Sequence, residues 1–208
     1  MRITVFLLLL TVLFPLCGQI EYSVDPGFHR EGCWLKILNS GDDTLRYTRN
    51  GSIPDMDSPL WKDSLWIKDP SLEADCFANI QTTLAQSELH YKAWERPGGL
   101  LEKIHILRLA AFRNGERTGP VYSRSDIVFP HVSSRYNLPV VSLLSDSLNL
   151  FSFDSGIYVP GVHWDPGNPE WSGNYFMKGE DWERGTHISI FSPEGELILA
   201  QDAGLRVH

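Results

Sequence analysis

The stretch LRYTRNGSIP, residues 45–54, predicts the end of a strand, a tight turn and an exit through a proline. Leu45 and Tyr47 alternate with polar neighbours, which is the period of a strand buried on one face. Asn50-Gly51 is the dipeptide that most readily supplies two successive positive φ angles, so it favours a chain reversal. The same dipeptide recurs at Asn114-Gly115. We therefore expect the first half of the chain to consist of short strands joined by turns.

The strand of this stretch is one of five strand candidates in the first half. Each is a short alternating or apolar run bounded by Gly, Pro, Asn or Asp. They are residues 33–38, 44–49, 65–68, 104–113 and 121–129. Residues 69–101 are less regular and predict a long surface excursion, with a weakly signalled helix at 84–90. This pattern predicts a mainly β fold that begins with a small antiparallel β-sandwich.

The composition fits such a fold. The chain has 208 residues, of which 42% are hydrophobic and 12% aromatic, including seven Trp. That hydrophobic content is enough for a packed core. Trp and Tyr suit sheet faces and also surfaces that bind sugars.

Residues 1–18 predict a secretory signal. Arg2 supplies the positive start, an apolar run covers 5–16, and we place the cleavage after Gly18. Attachment of a lipid to Cys17 is the alternative. The run is too short for a comfortable membrane span, so we expect no transmembrane segment after cleavage. The mature protein is then secreted or held at the cell surface.

Removing a segment with one Arg and no acid changes the formal net charge from −8 to −9. That charge argues against nucleic acid and anionic membranes as partners. Cys33 and Cys76 remain after cleavage. In an exported chain they can form a disulfide, and two free thiols are the open alternative.

The first half also carries a family resemblance. The segments LRYTRNGSIP (45–54), SPLW (58–61), LRLAAFRNG (107–115) and PVYSR (120–124) resemble the chitobiase/β-hexosaminidase C-terminal-type module. That module is similar to the D domain of family-29 glycoside hydrolases. The resemblance implies an accessory β-sandwich at 19–130 without catalytic residues. Asn50 and Ile53 stand where the family usually has acids.

In the second half, residues 130–137 predict a linker and 138–144 an apolar strand. Ser145 or Asp146 is placed to cap a short helix that runs through Leu150. Residues 187–191 and 196–200 predict a hairpin around the turn at 192–195. A further strand is expected to start at Leu205.

This half resembles the opening of a CotH-type kinase-like domain, at residues 131–208. The matching segments are LPVVSL (138–143), NLF (149–151), GIYV (156–159), GNY (173–175), WER (182–184) and AGLRVH (203–208). The family is an exported bacterial group of atypical protein kinases that use ATP and a divalent metal. The resemblance implies that the catalytic groups lie mainly beyond residue 208 and that this domain is incomplete here. We therefore expect no catalysis from this chain alone and assign it no cofactor.

Three sets of residues are candidate sites. Trp61, Trp66 and Trp94 can form a carbohydrate-stacking platform, with Trp164 and Trp171 as further members, although core filling explains them as well. Two further sets are polar. The carboxylates of Glu180, Asp181 and Glu183 could act as a glycosidase pair, and His163, Asp165 and Glu170 could bind a metal. For both sets, an ordinary structural role in a loop or turn is the favoured interpretation. His187, at a strand start, is interpreted as structural. The sequence thus predicts an accessory module joined to part of a kinase-like domain, with a carbohydrate-binding or cell-surface spacer module as the alternative.

Overall fold

The computed structural model describes residues 20–39, 41–84 and 94–207, and within these ranges the chain is mainly β. Ten strands form three sheets. The strands are Gly27–His29 (β1), Cys33–Lys36 (β2), Thr44–Thr48 (β3), Ser64–Ile67 (β4), His105–Arg113 (β5), Glu116–Arg117 (β6), Tyr122–Val128 (β7), Val140–Ser145 (β8), Arg184–Phe191 (β9) and Leu197–Leu205 (β10). The helices are Val132–Arg135 (α1) and Ser147–Phe151 (α2), with 3-10 turns at Gly161–His163, Asn174–Phe176 and Glu180–Trp182.

The central sheet has the strand order β1-β7-β5-β3. The short strand β6 pairs with the C-terminal end of β5, beyond the part of β5 that pairs with β7. The pairs of this sheet are antiparallel except that β1 runs parallel to β7. The expected antiparallel sandwich therefore has one parallel pair, at this edge. Gly27, directly after Pro26, pairs with Asp126 at the start of this strand. The strand is only three residues long, too short for a period to show in the sequence.

A two-stranded antiparallel sheet of β2 and β4 covers one face of the central sheet. Leu35 and Ile67 from the small sheet pack against Leu107 and Val128, and all four are almost fully buried. The predicted alternation in β4 is confirmed, because Ile67 points inward and Trp66 outward. These two sheets form the sandwich.

The third sheet, in the order β10-β9-β8, covers the opposite face of the central sheet. The hydroxyls of Ser125 in β7 and Ser142 in β8 lie 2.8 Å apart in a buried contact. Arg108 in β5 donates to the carbonyl oxygen of Leu144 at 2.7 Å. Residues 105, 107 and 109 of β5 face the small sheet, so β5 is buried on both faces. The fold thus has three β layers.

The turn at Asn50-Gly51 differs from its prediction. Gly51 has φ +87°, but Asn50 has no positive φ. The Asn50 side chain instead accepts from the Ser52 N–H at 3.1 Å and from the Ser52 hydroxyl at 2.8 Å. The chain does reverse, since Trp61 N–H donates to Leu45 O at 2.8 Å. Only the turn after β5, at Asn114-Gly115, has the two predicted positive φ angles.

Other expectations have mixed outcomes. Asp146 caps α2 by accepting from the Leu148 N–H, as predicted. The predicted linker at 130–137 contains α1, whose Val132 is 1% exposed. The predicted new strand at Leu205 is wrong, because β10 runs unbroken to that residue. The signal at 1–18, the lipid site at Cys17 and most of the helix at 84–90 lie outside the described residues.

Candidate functional site

Two tryptophan rings stand side by side on the outer face of the small sheet. Trp34 in β2 and Trp66 in β4 are direct cross-strand partners. Their ring centroids are 5.1 Å apart, and the ring planes make an angle of 57°. Trp34 is 59% exposed and Trp66 is 41% exposed. Cross-strand aromatic pairs stabilise a sheet, but two such large rings usually bury more of their surface.

The backbone beneath Trp66 is shaped to accept the ring. A Cβ atom added to Gly32 would lie 2.6 Å from Cζ2 of Trp66 and 2.9 Å from the Ile67 carbonyl oxygen. Only glycine leaves room for this approach. The indole is therefore held against the chain that leads into β2, and its orientation is fixed by packing.

Charged and polar side chains flank the pair. Lys36 is exposed two residues after Trp34, and a position two residues along a strand lies on the same face. Lys68 follows Trp66 at the same spacing and pairs with Glu73 at 3.1 Å. The outer face of the small sheet thus combines aromatic surface with hydrogen-bond donors. We call Trp34, Trp66, Lys36 and Lys68 the tryptophan face.

Behind the small sheet, an ion pair lies between the layers. Arg124 and Asp126 are at most 2% exposed, and two hydrogen bonds of 2.9 and 2.5 Å join them. His29 Nε2 lies 2.8 Å from Asp126 Oδ1, and the guanidinium also donates to two carbonyls, Val24 O and Asp25 O. Burial pushes the pKa of Asp126 up, but the bonds from His29 and Arg124 outweigh it, and the pKa stays below its usual value. Since every group here has partners, this cluster is structural.

A tyrosine covers this ion pair. The Arg124 guanidinium lies 4.7 Å from the centroid of the Tyr22 ring. Burial raises the pKa of Tyr22 to about 12. The phenol thus stays neutral, and it joins the N-terminal segment to the sandwich core.

The three predicted platform residues do not lie together. Trp66 belongs to the tryptophan face. Trp61 meets Tyr47 edge-on, with ring centroids 5.8 Å apart, and packs against the core between the sheets. Trp94 is half-buried in the loop that follows residues 85–93. The ring that completes the exposed pair is Trp34, which the sequence interpretation missed. The strand alternation could have found it, because Trp34 lies between the inward positions Cys33 and Leu35.

Among the described residues, Cys33 and Cys76 are both free thiols. Cys33 is half-buried against the core, and burial raises the pKa of its thiol, so it is a poor nucleophile. Cys76 is exposed in the excursion between β4 and β5. The structure therefore contains no disulfide between these two residues.

The polar candidates lie in local turns. Glu183 pairs with Arg206 at 3.2 Å, and Arg184 donates to the Asp181 carbonyl oxygen at 2.7 Å. Asp165 accepts from the Gly167 N–H at 2.8 Å, and His163 meets the Trp182 ring edge-on. His187 lies 2.8 Å from Asp202, its partner residue across the β9–β10 pair. In the described part of the chain, no three His, Cys, Asp or Glu side chains are grouped as metal ligands would be.

No family model, curated protein or solved structure matches this chain. Across the ranges that the structure describes, no helix has the length and apolar character needed to cross a bilayer.

Proposed function

We propose that this chain is an exported accessory protein whose sandwich binds carbohydrate at a cell surface through Trp34 and Trp66. The observation that carries the proposal is the exposure of two neighbouring indole rings on a sheet whose other face packs against the core through Leu35 and Ile67. The apolar faces of sugars stack on exposed aromatic rings, and adjacent donors such as Lys36 can bond the hydroxyls. The resemblance to a glycosidase accessory module points the same way.

The geometry of the two rings indicates the length of the carbohydrate that can bind. Because the planes differ by 57°, the two rings cannot both lie flat beneath one sugar unit. Their 5.1 Å separation lets each ring contact a neighbouring unit of a chain whose successive units are rotated. An oligosaccharide should thus bind more tightly than a monosaccharide.

A glycan array with the full chain tests this function, and ligands found there are titrated by Trp fluorescence. We expect the double substitution Trp34→Ala with Trp66→Ala to weaken binding by roughly tenfold or more, because each stacked ring contributes about 0.5–1.5 kcal/mol beyond its buried area. Trp171→Ala is the matched control, since Trp171 is 65% exposed but its ring contacts Phe176 in a later loop and is not part of the Trp34–Trp66 pair. An array without ligands, or equal binding by the double variant, would contradict the proposal.

For residues 131–208 we propose the opening of a CotH-type kinase-like domain that does not turn over by itself. The ordered motifs support this assignment, and two of their asparagines have framework roles. Asn149 donates to Ser145 Oγ at 3.1 Å, and Asn174 is 1% exposed and donates to Phe153 O at 3.0 Å. Incubation with labelled ATP and Mg²⁺ or Mn²⁺ should leave the chain and added acceptor proteins unlabelled. Incorporation of phosphate would overturn the expectation that this chain does not turn over by itself.

A further inference from the structure

A cavity of about 540 Å³ lies where β5 begins and β3 has just ended. Its base is residues 104–106 with Arg49 and Asn50, and its walls come from residues 70–78 and 101–103 of the excursion. Neither Trp34 nor Trp66 lines it. The volume is in the range of pockets that hold small organic molecules.

An unpaired polar ring lines this cavity. His105 is 2% exposed, and neither of its ring nitrogens has a hydrogen-bond partner among the described residues. Burial and then the nearby charge of Arg49 lower the pKa of His105 to about 4, so the ring is neutral at physiological pH. A neutral imidazole has one N–H to donate and one nitrogen that accepts. Leaving both unpaired costs free energy, which a bound polar group would recover.

The charged side chains that line the cavity differ in whether they have a partner of opposite charge. The three acids already have cationic partners: Glu73 with Lys68, Asp75 with Lys103, and Glu102 with Arg135. Lys103 also donates to three backbone carbonyls, those of Ser71, Glu73 and Leu101. Among the described residues, Arg49 makes no hydrogen bond or ion pair, and its charge acts on Glu73 only at longer range, so its guanidinium can still bind an anion.

We propose that this cavity binds a small organic carboxylate. The planar guanidinium of Arg49 matches a carboxylate in a paired geometry, and the His105 N–H adds a third donor. Pro70, Ala74 and Ile104 supply apolar surface for the body of the ligand. The proposal is independent of glycan binding, since it uses none of the residues of the tryptophan face.

Benzoate is a suitable probe, and benzamide is its neutral counterpart of similar shape. Titration of the full chain is followed by calorimetry and by the NMR signals of the His105 ring. We expect benzoate to bind, to perturb the His105 ring and to raise its pKa, because a bound anion favours the protonated form. Benzamide should bind at least about tenfold more weakly.

Arg49→Gln tests the guanidinium, and Arg117→Gln is the matched control. Arg117 is an exposed arginine of the same sheet, in β6, and it does not line the cavity. Arg49→Gln should weaken benzoate binding by about tenfold or more, while Arg117→Gln should bind as the unsubstituted chain does. The proposal fails if benzoate leaves the His105 ring unperturbed, if benzamide binds equally well, or if Arg49→Gln retains full affinity.

Discussion

Among single residues, the buried pair of Arg124 and Asp126 is one on which the stability of the sandwich depends. Removal of one charge leaves the other buried without compensation, and such a change typically costs about 3–5 kcal/mol. We expect Asp126→Asn to lower the free energy of unfolding by about that amount in urea. Asp43→Asn is the control, because Asp43 pairs with the exposed Arg113 and should lose far less.

The same carboxylate should make the protein sensitive to acid. Its pKa is lowered in the folded state, so its contribution is complete above the unfolded pKa of about 4 and is lost as the pH falls through the folded value. Asp126→Asn should therefore flatten this part of the stability profile. An unchanged acid limb, or a loss of stability no greater than that of Asp43→Asn, would contradict the account.

The free energy of unfolding should also depend on pH through His105, at higher pH than through Asp126. The unfolded chain takes up a proton below about 6.5, but the folded ring resists protonation until about 4. Stability should thus fall as the pH decreases between these values, by about 3 kcal/mol in total. Unfolding midpoints measured across this window should show the loss, and His105→Phe should remove it. A His105→Phe profile parallel to that of the unsubstituted chain would refute this assignment.

At the scale of elements, the turn after β3 is restricted by its contact with β8. Gly51 has φ +87°, and an added Cβ would lie 2.4 Å from the Ser145 carbonyl oxygen. Gly41 has φ +62° with open space around it. We expect Gly41→Ala to cost about 1 kcal/mol through backbone strain and Gly51→Ala about 1–3 kcal/mol more. Equal losses in thermal or urea unfolding would show that the turn does not contact the third sheet.

Most elements were predictable because their signals are local. The alternation of β3 and β4, the Asp146 cap and the Gly195 turn all follow from a few neighbouring residues. The parallel pairing of β1 was not predictable, because Gly27 and Asp126 are distant in sequence and register depends on tertiary contacts. Asn50 illustrates a second limit: its side chain bonds Ser52, an alternative that the dipeptide preference ignores.

The candidate site was only partly predictable for a related reason. Exposure depends on which face the neighbouring layers cover. Trp61 and Trp66 are both tryptophans of the same region, yet one packs against the core and the other stands outside. The cavity beside His105 gave no sequence signal, because Arg49 follows β3 and His105 begins β5, and the two residues are distant in sequence.

In the molecule as a whole, the central sheet packs against both of the other sheets. Each of β5 and β7 buries one face against the small sheet and the other against β8 and β9. Loss of the third sheet would expose Ala110 and Ile127, which are at most 2% exposed. We therefore expect one unfolding transition, with coincident Trp fluorescence and far-UV circular dichroism. Two separated transitions would favour independent units on either side of residue 130.

The central claim is that Trp34 and Trp66 form a glycan-binding surface, and the indole N–H signals of ¹⁵N-labelled protein test it most directly. These signals are assigned by single substitution and followed during titration with an oligosaccharide selected on the array. The account predicts that Trp34 and Trp66 shift with a common affinity while Trp61 and Trp171 stay in place. Shifts confined to other tryptophans, or no shift in any, would contradict it.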